Sequence, residues 1–409
     1  MTKILIEEPV FSASAKIGVI DVLNLFADIS YKFLPTSSIT SEDIMCCDIF
    51  ITVRGSEYLT YSVVSAAKNA GRFIMYFLDD DLLNVPIGDA VSKTYYDVQV
   101  KNYLPKILSL SDVLWCVNPK VGNDYKKFLR NGRVVVSSVP VLLPQVNALT
   151  GFHKDDKVTR FLYAGSKSHS DNVCRIISPA LQKIYDEYKD NVHFCFIGAD
   201  PKLNFVEFNP FFDDYDEYRS FVLSRHFDYG IAVVGEDEFY QSKYFNKYIE
   251  YTQLGCIGIY SDLPPYSTVI KNRENGYMYN NTSSGLYDVL KMLVSSEASS
   301  KVFENAYNDI SIHNSSEFVH GNIAEEIPEL CAFSAPEISA DKIKIENRCF
   351  QAYVFYLRLI FAQYTLTTAI SICITKVICR FIKKANCLKN ILLKKRHKKI
   401  KYPFCKNLK

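Results

Sequence analysis

Short apolar runs recur along the first 150 positions, and the stretches between them carry apolar residues at helical spacing. "KILIEEPV" (3–10), "DIFITVR" (48–54), "RFIMYFLDD" (72–80), "DVLWCVN" (112–118) and "RVVVSSVP" (133–140) have the nearly continuous apolar character of strands covered on both faces. Segments such as "EYLTYSVVSAAKNAG" (57–71) have the helical period instead. Strands alternating with helices specify a parallel sheet. A second series follows the polar junction "GFHKDDKVTR" (151–160): "RFLYAGS" (160–166), "VHFCFIGAD" (192–200), "FDYGIAVV" (227–234) and "CIGIYSD" (256–262), with "NVCRIISPALQKIYDEYK" (172–189) as the clearest helix. The pattern predicts an α/β protein of two Rossmann-like, doubly wound domains, 1–148 and 149–330. In such sheets ligands bind beyond the carboxyl ends of the strands, so two of them in tandem can share one cleft.

From 331 to 409 the pattern changes to a helical extension. "AYVFYLRLIFAQYTLTTAISICITKVICRFIKK" (352–384) is apolar, but its uncharged part, 359–375, is only at the lower limit for spanning a bilayer and contains four Thr. "NILLKKRHKKIKYPFCKNLK" (390–409) follows, basic with apolar anchors. An amphipathic interfacial helix with a polybasic tail on anionic lipid is the preferred reading. A spanning helix, and a helix packed on the protein with a solvated tail, are the alternatives.

Charge sharpens this picture. The net value of +2 hides two opposed parts: beyond Glu346 there are fifteen Lys and Arg and no acid, which leaves 32 basic and 45 acidic residues in 1–346. An acidic body with a basic tail suits docking on an anionic membrane surface. Nucleic acid is not expected as a partner, because the tail has few aromatics and the body is acidic. Twelve cysteines without a C-x-x-C pair read as free thiols of a reducing compartment, and Glu7 and Glu8 fall where an export signal needs apolar residues. A cytoplasmic protein is expected.

Two stretches carry candidate chemistry. "YAGSKSHSDN" places Gly165 and Ser166 just after a strand, where free amides and Lys167 can meet an anion. In "SKYFNKYIEYTQLG", Lys243, Lys247, Glu250 and Leu254 share one face of a single helix. That face fits a diphosphate held near Lys243 and Lys247 with a carboxylate one turn deeper, and it equally fits an i,i+3 salt bridge in solvent. Neither G-x-G-x-x-G nor a Walker lysine is present.

With its flanks, "FDYGIAVVGEDEFYQSKYFNKYIEYTQLGCIGIYSDLPPYSTVIKNRENGYMY" resembles the donor-binding region of GT-B nucleotide-sugar glycosyltransferases of the group 1 (family 4) type. Glu250 and Gly255 stand in place of the E-A-x-A-x-G-like helix, and Asn275-Gly276 in place of its N-G dipeptide. "GRFIMYFLDDDLLNVP" (71–86) is similar to a segment of the polysaccharide-building members. The resemblance implies that Glu250 accepts the ribose hydroxyls of a nucleotide. Ser242, Lys243 and Lys247 would then lie near its diphosphate, with Gly165, Ser166 and Lys167 in the first loop beside the phosphates or sugar. The family's paired glutamate is Ser242 here, with Glu236 and Glu238 as nearby substitutes. The histidine that many retaining members carry in the first domain is missing, so Asp79, Asp80 and Asp81 become the candidates for acceptor base or for orienting the acceptor hydroxyl. No metal and no separate cofactor are expected, since the nucleotide-sugar is the donor substrate.

Taken together these features imply a hexosyltransferase-like enzyme, peripheral on the inner face of the cell membrane. It would move a sugar from a nucleotide-sugar donor to a glycan or lipid-linked glycan acceptor in surface polysaccharide (capsule or O-antigen) biosynthesis. The alternative is a non-catalytic GT-B-like scaffold of such an assembly.

Overall fold

The computed structural model describes residues 1–9, 11–86, 98–141, 157–166, 169–212, 214–295, 300–346 and nine positions between 354 and 374. Lys167, the junction 151–156, most of the expected interfacial helix and the basic tail lie outside the described residues.

Two six-stranded sheets organise residues 1–346, and every strand pairing in them is parallel. The first contains β1 (Thr2–Glu8), β2 (Ile29–Pro35), β3 (Ile49–Val53), β4 (Phe73–Leu78), β5 (Val113–Cys116) and β6 (Arg133–Val136), in the order β2-β1-β3-β4-β5-β6. The second contains β7 (Thr159–Gly165), β8 (Val192–Gly198), β9 (Glu207–Asn209), β10 (Tyr229–Ala232), β11 (Ile257–Ser261) and β12 (Tyr277–Tyr279), in the order β12-β11-β10-β7-β8-β9. Nine of these strands coincide with the apolar runs of the sequence. The other three, β2, β9 and β12, are edge strands: β2 is only half-buried and the other two are three residues long, so none has a continuous apolar run.

The period of two inside each central strand decides which core a side chain enters. Leu5, Phe50, Ile74, Tyr76 and Leu114 pack on one face of the first sheet. Their alternates Ile4, Ile6, Ile49, Ile51, Met75, Phe77 and Trp115 pack on the other, in a core continuous with Leu162, Ile197 and Tyr260 of the second sheet. The far face of the second sheet stacks aromatic rings, with Phe161 against Phe194 and Tyr229, and Tyr163 against Phe196.

Each sheet reverses its winding once. The chain goes from β1 outward to β2 and returns to place β3 on the other side of β1, and it goes from β7 through β8 and β9 before placing β10 against β7. Such switch points leave a crevice at the carboxyl ends of the two strands.

The chain crosses between domains after Val141 and returns at Asn314. The crossings are tied together: Val141 donates its N–H to the Asn314 carbonyl at 2.8 Å, and buried Asn314 donates through Nδ2 to the Val139 carbonyl at 2.8 Å and to Tyr244 Oη at 3.3 Å. Beyond Asn314 the chain packs on the first domain, where His320 meets Phe26, Phe333 meets Phe73 and Arg133 pairs with Glu329 at 2.6 Å. This revises the boundary expected at 331. Residues 331–346 form a strap on the first domain, tied by the Ala335 N–H to Asp48 Oδ1 (3.0 Å), by Ser41 Oγ to the Ile343 carbonyl (2.9 Å) and by buried Ile343. Residues Cys349–Lys409 form a separate unit. Among the described residues no helix is long and apolar enough to cross a membrane, and the eight described cysteines are free.

Candidate functional site

Both switch points open into one cleft of about 740 Å³. From the first sheet it is lined by Phe11–Ser14 after β1, Arg54 after β3, and Asp79 and Asp80 after β4. From the second it is lined by Gly165 at the end of β7 and Ser166 after it, Ile197 near the end of β8, and Ala232–Val234 at and after β10. Gly198 sets how closely β7 and β8 can end: its φ is +87°, and a Cβ there would meet the Gly165 carbonyl oxygen at 2.1 Å.

The first-domain wall is a charge cluster. Arg54, itself at φ +52°, donates Nε to Asp79 Oδ1 at 2.5 Å and Nη2 to Asp79 Oδ2 at 2.7 Å and Asp80 Oδ2 at 2.8 Å. Lys243 reaches across from the second domain to Asp80 Oδ1 at 3.0 Å, while its own carbonyl accepts Asn118 Nδ2 at 2.9 Å. Burial opposes ionisation of Asp80, yet Lys243 and Arg54 outweigh it and hold the carboxyl below the usual range. Asp80 is therefore a poor proton acceptor and a strong ion-pair partner. Asp81 does not belong to this wall. Its side chain turns inward, accepting from Tyr125 Oη and Asn84 Nδ2 at 2.7 Å each, so its place among the expected acceptor carboxylates is corrected to an internal tie.

Behind the wall, Glu8 ends β1 and accepts from the Ser12 N–H at 3.0 Å and Ser12 Oγ at 2.7 Å, fixing the start of the helical segment 13–23. Burial pushes its carboxyl up to about 7 against those bonds and the pull of Arg54. Glu7, fully buried, is also pushed up by burial while three hydroxyls, from Thr36, Thr52 and Thr60, donate to it.

The second-domain wall differs from the expected single helix. The short helix Glu238–Gln241 ends where Ser242 Oγ bonds back to the Phe239 carbonyl at 2.8 Å, and a new helix, Asn246–Gln253, starts after Phe245 at ψ 40°. Ser242 is fully buried and does not line the cleft, which corrects its expected place beside an anion. Lys243 sits in the turn between the helices, against the Phe239 ring at 4.4 Å, and Lys247 and Glu250 follow on the second helix. All three line the cleft. Lys247 pairs with Glu250, and Tyr218, from the helix Tyr215–Leu223, donates its hydroxyl to the same carboxylate. Gly255 at φ +80° then turns the chain into β11. Glu236 and Glu238 are exposed and do not line the cleft.

Sequence reasoning did not single out Arg54, Tyr218 or His169. Arg54 ends the run "DIFITVR", and a cation closing a buried strand at a switch point is the signal that marks it. His169 lies two residues beyond Lys167 in the first loop. Among the described residues no cluster of His, Cys, Asp and Glu has the makings of a metal site.

No protein-family model and no curated protein matches the chain. Solved structures do match its fold. HepE of Anabaena in complex with UDP and glucose superposes with a TM-score of 0.59 at 11% identity, over 80% of this chain and 100% of that one. A glycosyltransferase from Rickettsia africae gives 0.53 at 14% identity, over 81% and 99%. An α,α-trehalose 6-phosphate synthase from Burkholderia multivorans gives 0.53 at 10% identity, over 80% and 96%. At these identities the likeness establishes the architecture, two Rossmann-like domains in the GT-B arrangement.

Proposed function

We propose that the protein is a glycosyltransferase that takes a nucleotide-sugar as donor in the second-domain half of the cleft and an acceptor from the first-domain half. The observation that carries this reading is the meeting of two switch-point crevices in one cleft, with Lys243, Lys247 and Glu250 on the donor side and Arg54, Asp79 and Asp80 facing them. HepE, similar in fold, has been solved with UDP, with UDP and glucose, and with UDP-glucose.

Glu250 accepts the ribose hydroxyls in this reading, which requires it to give up Lys247 and Tyr218 as partners. Lys243, Lys247 and the amides after Gly165 hold the diphosphate. In the reaction the acceptor oxygen bonds to the anomeric carbon as the bond from that carbon to the phosphate oxygen breaks. The electron pair of that bond leaves with the nucleoside diphosphate, and positioned cations stabilise the charge gathering there. The acceptor proton passes to Asp79 or to the departing phosphate, because Asp80 is held ionised by two cations. The acceptor is a glycan, lipid-linked in keeping with the basic tail, and the reaction belongs to surface polysaccharide assembly at the inner face of the membrane, with no separate cofactor or metal.

Calorimetry of the full-length protein with UDP, GDP, CMP, dTDP and their sugars tests this. Saturable binding of one nucleotide, lost in Glu250→Ala, is the expected result. A folded protein that binds none of them would instead support the scaffold reading.

A further inference from the structure

His169 occupies the position before the helical segment 170–188, where Ser, Thr, Asp or Asn would ordinarily cap the helix with the side chain. It makes no such cap bond. Its N–H closes the first loop on the Ser166 carbonyl at 3.1 Å, its ring lies against Tyr240 at 5.4 Å, and it lines the cleft with Lys243 and Lys247. Nδ1 is sealed from solvent without a hydrogen-bond partner. Nε2 is not sealed in this way, and the ring lines the cleft, so Nε2 is the nitrogen turned toward it.

An orphaned buried N–H is rarer and costlier than an orphaned lone pair, so the proton of the neutral imidazole is assigned to Nε2. Burial, with Lys243 and Lys247 nearby and Asp80 opposing them, pushes the imidazolium down to about 4, so the ring is neutral near pH 7. A third cation near two ammonium groups would repel both, whereas a neutral N–H adds a directed donor without that repulsion.

We propose that His169 is a phosphate-binding residue whose Nε2–H donates to the diphosphate of a bound nucleoside diphosphate, alongside Lys243 and Lys247. This rests on the donor-site reading above and adds to it a ligand that bears no charge. It also explains why a helix start gives up a capping side chain and why a half-buried polar ring stands there with Nδ1 unpaired.

The test compares UDP with uridine, and with inorganic pyrophosphate as a probe that needs no base, by calorimetry on the full-length protein. His169→Phe keeps an aromatic ring against Tyr240 and removes the donor. UDP and pyrophosphate should weaken about tenfold or more, with uridine within twofold. His169→Gln restores a neutral N–H near Nε2 and should recover UDP binding to within about threefold. Equal losses for UDP and uridine, or no rescue by a folded Gln variant, would overturn the assignment while wild-type binding still upheld the donor site. Failure of the wild type to bind UDP or any of the other nucleotides would remove the donor site and this inference with it.

Discussion

The two walls of the cleft hold similar charged residues and use them differently. On the first-domain side one guanidinium serves two carboxylates, and a lysine from the other domain completes the cluster. On the second-domain side one lysine and one tyrosine satisfy a single carboxylate within the same domain. A cluster that spans domains and shares partners acts as structure, because losing any member leaves buried charge behind. A cluster that is complete within one domain can be taken apart by a ligand that offers better partners.

The largest expected effect breaks the first wall. Arg54→Ala leaves Asp79 and Asp80 short of a cation and should lower stability by about 3 kcal/mol, read as a lower melting temperature. An unchanged melting curve would show that this wall is not structural. Next, Glu250→Ala should weaken nucleotide binding about a hundredfold while moving the melting temperature by only a few degrees, the reverse pattern. Unfolding of that variant would erase the contrast between the walls.

Glu8 gives a pH-dependent version of the same test. Its folded value of about 7 lies above the ordinary 4.5, so the stability it contributes is complete below about 4.5 and declines as pH rises through 7. Glu8→Gln, neutral at every pH, should therefore stabilise the protein by about 2 kcal/mol at pH 8 and by almost nothing at pH 4.5. A gain independent of pH would point to packing instead. The smallest effect concerns the bridge between the walls. Asp80→Asn frees Lys243 from its internal anion and should tighten UDP about fivefold, leaving uridine unchanged. Weaker UDP binding would mean that Asp80 holds Lys243 in place for the phosphate instead of competing with it.

Most of the architecture was legible in the sequence because strands buried on both faces write themselves as apolar runs. The three strands that were not legible sit at sheet edges, where burial is partial. Of the residues that a motif singled out, Gly165, Ser166, Lys243, Lys247 and Glu250 line the cleft, and Lys167 lies outside the described residues. It was misread where a side chain's direction mattered. Asp79, Asp80 and Asp81 are consecutive, and no composition rule says that the third faces Tyr125 while the first two face Arg54. Ser242 was misplaced because an expected single helix breaks at Phe245. Arg54 escaped notice because its partners lie 25 and 26 positions away, a relation that only the adjacency of β3 and β4 reveals.

The tie between Val139, Val141 and Asn314 works as a rivet between the two sheet domains of residues 1–346. Both strands of covalent chain pass through the same point, so neither domain can slide past the other or pull away without tearing three hydrogen bonds there. Loosening that point would be felt across the cleft as well, where Lys243 of one domain meets Asp80 of the other.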